Sequence, residues 1–138
     1  MIEALVGAAV GVLTIVAARL IRGERWLYSL GLLVLPGLYA FFALRADEQA
    51  VGIKEMTFGV PWVVAGLVFA LVSIRRSAVV VGVFWLLHGL YDLVHGRLIT
   101  NPGVPGWYPI FCFVVDAVVG GYLLWLSRRL PDANLRQA

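Results

Sequence analysis

Charge is scarce in this 138-residue sequence. Asp, Glu, Lys and Arg make up 14% of it, while hydrophobic residues make up 62% and the mean hydropathy is +0.92. A soluble domain carries about 25% charged and about 45–50% apolar residues. A water-soluble fold of this size has no interior large enough to hide so much apolar surface, so lipid is expected to be the solvent for most of the chain. Cysteine is nearly absent. The single Cys112 excludes an internal disulfide, and cysteine usage therefore says nothing about redox compartment. Runs of Lys or Arg are also missing. The net charge of +3 would suit nucleic acid, but the basic residues sit singly or in pairs near helix ends, so nucleic acid is not an expected partner. No Lys or Arg precedes the first apolar run. Arg19, Arg22 and Arg25 follow it, the reverse of a signal peptide, so this segment is expected to stay as a helix. No long repeat or low-complexity tract occurs.

Long apolar runs are present instead. About 20 apolar residues in a helix cross about 30 Å of hydrocarbon. Five candidates read as helices over about 2–21, 26–44, 58–74, 78–94 and 107–126. The expected fold class is all-α: one integral membrane bundle of five transmembrane helices over 1–130, with a short polar cytoplasmic tail at 131–138. The third and fourth runs must break near Arg75 and Arg76. One continuous helix would leave each arginine at mid-membrane, at a cost of about 2.5–3.5 kcal/mol. Ser77 is the expected N-cap of the fourth helix.

The positive-inside rule orients this bundle. With the N-terminus outside and the C-terminus cytoplasmic, Arg19, Arg22, Arg25, Arg75, Arg76, Arg128, Arg129 and Arg136 fall inside. Only Arg45, Lys54 and Arg97 fall outside, eight against three. Trp26, Tyr28 and Trp125 then lie at the inner interface, and Trp62, Trp107 and Tyr108 at or near the outer one. Gly7/Gly11, Gly59/Gly66, Gly82/Gly89/Gly96 and Gly120/Gly121 mark smooth faces for close helix packing. They serve either the bundle itself, a homodimer, or another membrane protein.

The polar residues within the runs concentrate between 84 and 123. At 100° per residue, His88, Asp92 and His95 lie within about 60° on the fourth helix. Cys112 and Asp116 share a face of the fifth by their i,i+4 spacing. With a rise of about 1.5 Å per residue, antiparallel pairing sets Asp116 near the depth of His88, and Cys112 near Asp92, in the outer half of the bilayer. Imidazole and carboxylate are ordinary ligands for a divalent transition metal, and a thiolate would favour zinc or copper. The expected metal set is therefore His88, Asp92, His95, Asp116 and Cys112, with zinc the first candidate. The same His88, Asp92 and Asp116 also suit a catalytic acid–base role on a lipidic substrate. His95 also suits simple interfacial placement, and Cys112 a small buried apolar residue. The Pro/Gly-rich loop at 100–107 should be turn-rich and lie over this site, as a lid or as a plain connection.

The run His88-Gly-Leu-Tyr-Asp-Leu-Val-His95, then Val-Pro-Gly-Trp-Tyr-Pro, then Cys112 and Asp116 ahead of Gly120-Gly-Tyr-Leu, resembles a family of small bacterial multi-pass integral membrane proteins of unknown function. The resemblance covers about the last third of the chain. It implies residence in a bacterial plasma (inner) membrane and supplies no activity. Three functions are consistent with the residues: a metal-binding protein or membrane enzyme, an accessory subunit packing through its glycine faces, and a proton or ion transporter. Transport is disfavoured, because the inner halves of the runs offer only Thr14, Ser29 and Ser73 and no ionisable side chain.

Overall fold

The computed structural model describes residues 1–24, 26–72 and 74–129, and in 74–76 the backbone alone. The expected tail at 131–138 lies outside the described residues. Among these, five α-helices account for nearly all of the chain: α1 Ile2–Leu20, α2 Leu27–Arg45, α3 Gln49–Ala70, α4 Ile74–Leu98 and α5 Tyr108–Arg129. All five are long and apolar enough to cross a membrane. Large apolar side chains such as Leu5, Leu13, Leu20, Val34 and Leu67 are more than half exposed. Hydrocarbon is the solvent that accommodates such a surface.

Two helices differ from the sequence reading at both ends, and their extensions share one physical reason. The third covers Gln49–Ala70 where 58–74 was expected, starting nine residues early, and the fourth covers Ile74–Leu98 where 78–94 was expected. A helix satisfies its own backbone whatever surrounds it, so it can project beyond the hydrocarbon with its charged turns among headgroups. Hydropathy marks only the apolar part. Arg75 and Arg76 accordingly lie in the first turn of α4, and Ser77 lies inside the helix and does not cap it. The third helix ends at Ala70 and the chain turns at Leu71 and Val72, about one turn earlier than expected.

Short connections make neighbouring helices antiparallel. Both α1 and α2 end in a left-handed residue, Arg22 (φ 53°) and Asp47 (φ 59°). Around each, the two following amides return to the last turn: Gly23 N–H donates to Ala18 O and Glu48 N–H to Ala43 O. This Schellman pairing satisfies the final carbonyls and reverses the chain within a few residues.

Glycine faces then set which helices touch. Gly7 and Gly11 lie against Phe111, Val115 and Val118, which packs α1 alongside α5. Gly59 receives the ring of Pro36, and Gly66 lies on the Ser29 carbonyl, joining α3 to α2. Gly82 meets Gly120 and Leu123, joining α4 to α5. These faces are therefore used inside the bundle; a Cβ on Gly96 or Gly121 would meet nothing within 4 Å among the described residues. Tyr28, Leu32, Val81, Val119 and Leu123 fill a core toward the end where α1 meets α2. A polar and aromatic layer lies beyond it, toward the end carrying the α2–α3 and α4–α5 loops.

Tyr28 and Tyr108 are buried, and Trp62 is half-buried, so none of the three is an interfacial anchor as expected. Trp107, Trp26 and Trp125 are about half exposed, as a membrane-interface ring requires.

Candidate metal centre

Helix α4 offers one stripe inward, and α2, α3 and α5 close around it. His88, Asp92 and His95 are all buried on that stripe, as their helical phase predicts. Asp116 of α5 faces His88, with 2.8 Å between His88 Nδ1 and Asp116 Oδ2. An ionised carboxylate can only accept, so the ring Nδ1–H is the donor. Asp92 Oδ2 lies 3.5 Å from the same nitrogen. Close approach of the helices makes this possible. A Cβ on Gly89 would stand 3.1 Å from the Asp116 Cβ and 3.3 Å from the Phe113 carbonyl. Gly89→Leu should therefore wedge α4 from α5 and cost about 1–3 kcal/mol. Thermal unfolding in detergent micelles checks this, and an unchanged midpoint would refute the close-packing account.

The bonding is incomplete. Asp92 Oδ1 accepts from the Tyr39 hydroxyl at 2.7 Å. Asp92 Oδ2 and Asp116 Oδ1 are buried and, among the described residues, accept no hydrogen bond. Two carboxylates with an unpartnered oxygen each, beside one imidazole nitrogen, form an acidic cluster in a low-dielectric interior. Such a cluster is costly unless a proton or a cation shares it. One ligand atom from each of His88, Asp92 and Asp116 lies within 4.8 Å of the others, a spread that a single metal ion can span.

His95 and Cys112 stand apart from this trio. The His95 ring Nε2–H donates to Glu55 Oε1 at 2.8 Å, and Asn101 Nδ2 donates to the same oxygen at 2.8 Å. Tyr91 donates its hydroxyl to Glu55 Oε2 at 3.2 Å. Glu55 is 2% exposed and is fully engaged, unlike the aspartates. Cys112 packs with Tyr39 and Tyr108 in an aromatic cluster, the role of a small apolar residue. Tyr39 ties the two polar groups together: it bonds Asp92 and stacks on His95 with ring centroids 4.0 Å apart.

Trp62 and Trp85 frame the trio. Trp62 donates its ring N–H to the Phe84 carbonyl and sets its edge against His88 at 5.5 Å. Trp85 lies one turn below His88, over Gly31, and donates to the Tyr28 carbonyl at 3.0 Å. The loop at 100–107 is turn-rich, as read. Asn101 fastens it, donating to the Tyr39 carbonyl as well as to Glu55 and accepting from Gly103 N–H.

Glu55 and Tyr39 are the two residues that sequence reading missed. A signal for Glu55 was present. Gly52, Gly59 and Gly66 repeat every seven residues, and Glu55 falls on the same face between the first two. Comparison of the chain with protein-family models, with curated proteins and with solved structures finds no match. Function is therefore argued from the site alone.

Proposed function

We propose that this is a multi-pass membrane protein whose His88, Asp92 and Asp116 bind one divalent transition metal, zinc foremost. The observation that carries the reading is the pair of buried, unpartnered oxygens on Asp92 and Asp116 beside His88 Nδ1. A divalent cation balances two carboxylates and takes the place of the Nδ1 proton. Three protein ligands leave a coordination position open, the pattern of catalytic zinc. The excess of arginine at the other end supports an N-terminus outside and a centre in the outer half of the bilayer, in a bacterial plasma membrane. After chelator treatment and exposure to zinc, purified wild type should retain near-stoichiometric metal, and His88→Ala/Asp116→Ala should retain none. A folded wild type that stays metal-free overturns the centre.

A second reading is supported by a different observation. Asp116 and Cys112 form part of the wall of an apolar groove of about 480 Å³ between α1, α2 and α5. Its mouth lies among residues that face hydrocarbon, such as Val10, Leu30 and Val34. A His88–Asp116 pair at such a wall suits acid–base chemistry on a lipidic substrate. Mass spectrometry of delipidated protein should find a retained lipid that Val34→Trp, which fills the groove, no longer holds. Equal retention by both would remove the groove as a substrate site.

A further inference from the structure

We propose that Arg19 and Arg129, held by Tyr122 and Trp125 where α1 and α5 end, bind the headgroup of an anionic phospholipid. This site lies at the end of the bundle opposite the 100–107 loop, and it depends on neither reading of the centre.

Helix register places it. Gly7 meets Phe111, and Gly11 meets Val115 and Val118, so α1 and α5 run side by side in the same direction. Carried to the end of α1, that register brings Arg19 beside Tyr122. The Arg19 Nε–H donates to the Tyr122 hydroxyl at 3.0 Å, and that hydroxyl donates to Glu24 Oε1 at 2.7 Å. The Tyr122 ring lies beside Trp125, with centroids 5.9 Å apart. One turn further along α5, Arg129 lays its guanidinium over the Trp125 indole at 4.6 Å. Two adjoining rings thus carry a guanidinium each.

Both guanidinium groups keep donors for an oxyanion. The indole covers only the face of the Arg129 group, and its N–H donors lie in the plane, where they match phosphate oxygens. Arg19 spends its Nε–H on Tyr122, and its two terminal amino groups make no hydrogen bond to another described residue. Glu24 lies 3.5 Å from Arg19 Nε and offsets part of the charge. Among the described residues no carboxylate pairs with Arg129. An arginine with open donors at a headgroup surface finds its natural partner in phosphate, which it can bind through two parallel hydrogen bonds.

The apolar surroundings favour a lipid over a soluble anion. Val12, Val16 and Arg19 share one face of α1 by their i, i+4, i+7 spacing. Val12 is 52% exposed and Val16 44%, so an acyl chain descending from a phosphate at Arg19 has a continuous stripe to lie on. Trp125, 45% exposed, adds an amphipathic ring at the lipid boundary. Arg22 and Arg128 carry the same charge at the same end, but among the described residues no ring or carboxylate holds them. They separate a built site from diffuse attraction.

The test is native mass spectrometry of the full-length protein released from nanodiscs of phosphatidylglycerol and phosphatidylcholine in equal parts. Wild type should retain phosphatidylglycerol in preference. Arg19→Gln/Arg129→Gln should lower that preference at least about tenfold, the loss of one or more charge-assisted hydrogen bonds. Trp125→Leu keeps every charge and should lower it about threefold. Arg22→Gln/Arg128→Gln removes equal charge from the same end and should leave it within about twofold, because screened charges out of contact contribute little. If a double variant does not fold, Arg129→Gln against its neighbour Arg128→Gln makes the same comparison. Equal losses in the two sets would mean diffuse attraction and overturn the site, as would a wild type without preference. Displacement of the lipid by millimolar inorganic phosphate would reassign the arginines to a soluble anion and overturn it too.

Discussion

Replacing Glu55 with Leu should lower stability by about 3–5 kcal/mol, the largest loss expected from any single surface-distant substitution in the bundle. Leucine has nearly the right volume, so no large cavity explains the loss. The cost comes from donors left behind. His95 Nε2–H, the Tyr91 hydroxyl and one bond of Asn101 all end on this carboxylate. His95 is 2% exposed, so little water reaches it to replace a lost partner. Each stranded donor costs about 1–3 kcal/mol. Glu55→Gln retains an oxygen for two of these donors and should lose much less, so the pair of variants separates hydrogen bonding from charge. Denaturation in mixed micelles, followed by tryptophan fluorescence, measures both. A Glu55→Leu loss under about 1 kcal/mol would mean that water already reaches the cluster and shares its bonds.

That Glu55 holds this place was the least legible part of the chain. The helix count, the antiparallel order and the His88–Asp116 pairing all follow from quantities a sequence carries: apolar run length, helical phase and rise per residue. Those rules work for α4 and α5 because both residues lie well inside uniform helices. Glu55 lies between Lys54 and Met56 in a stretch that also holds Asp47, Glu48 and Gln49. Hydropathy assigns such a stretch to a loop, and a loop residue has no phase. The structure makes it helix from Gln49 onward, and phase then turns Glu55 inward with Gly52 and Gly59. Tyr39 was hidden for another reason. In an apolar helix a tyrosine gives no sign of whether its hydroxyl meets a headgroup or a buried carboxylate, and only the partner on α4 decides. The assignment of Cys112 and His95 to the metal set shows the limit of depth matching. Both lie at suitable depth on suitable helices. His95 takes a carboxylate from α3, and Cys112 enters an aromatic cluster, through contacts that depth alone does not encode.

The centre itself predicts an inverted pair of responses to one substitution. Metal-free Asp116→Asn should be more stable than metal-free wild type, by about 1–2 kcal/mol. Asp92 and Asp116 offer oxygens within 4.8 Å of each other, both buried, with one imidazole between them. At that separation two negative charges repel by about 3–4 kcal/mol at an effective dielectric of 20, and a shared proton relieves only part of it. Asparagine removes one charge and still accepts the His88 Nδ1–H. Zinc should reverse the order. Bound to the folded wild type, it should raise stability by about 2.7 kcal/mol at a free concentration 100 times the dissociation constant. Asp116→Asn has lost a charged ligand and should respond little. Thermal unfolding of both proteins, with chelator and with zinc, gives four midpoints whose crossing is the signature of a site that sacrifices stability to hold a cation. If Asp116→Asn is less stable than wild type under chelator and zinc shifts neither, the carboxylates serve the bundle as ordinary hydrogen-bond acceptors, and the cation reading of Asp92 and Asp116 is wrong.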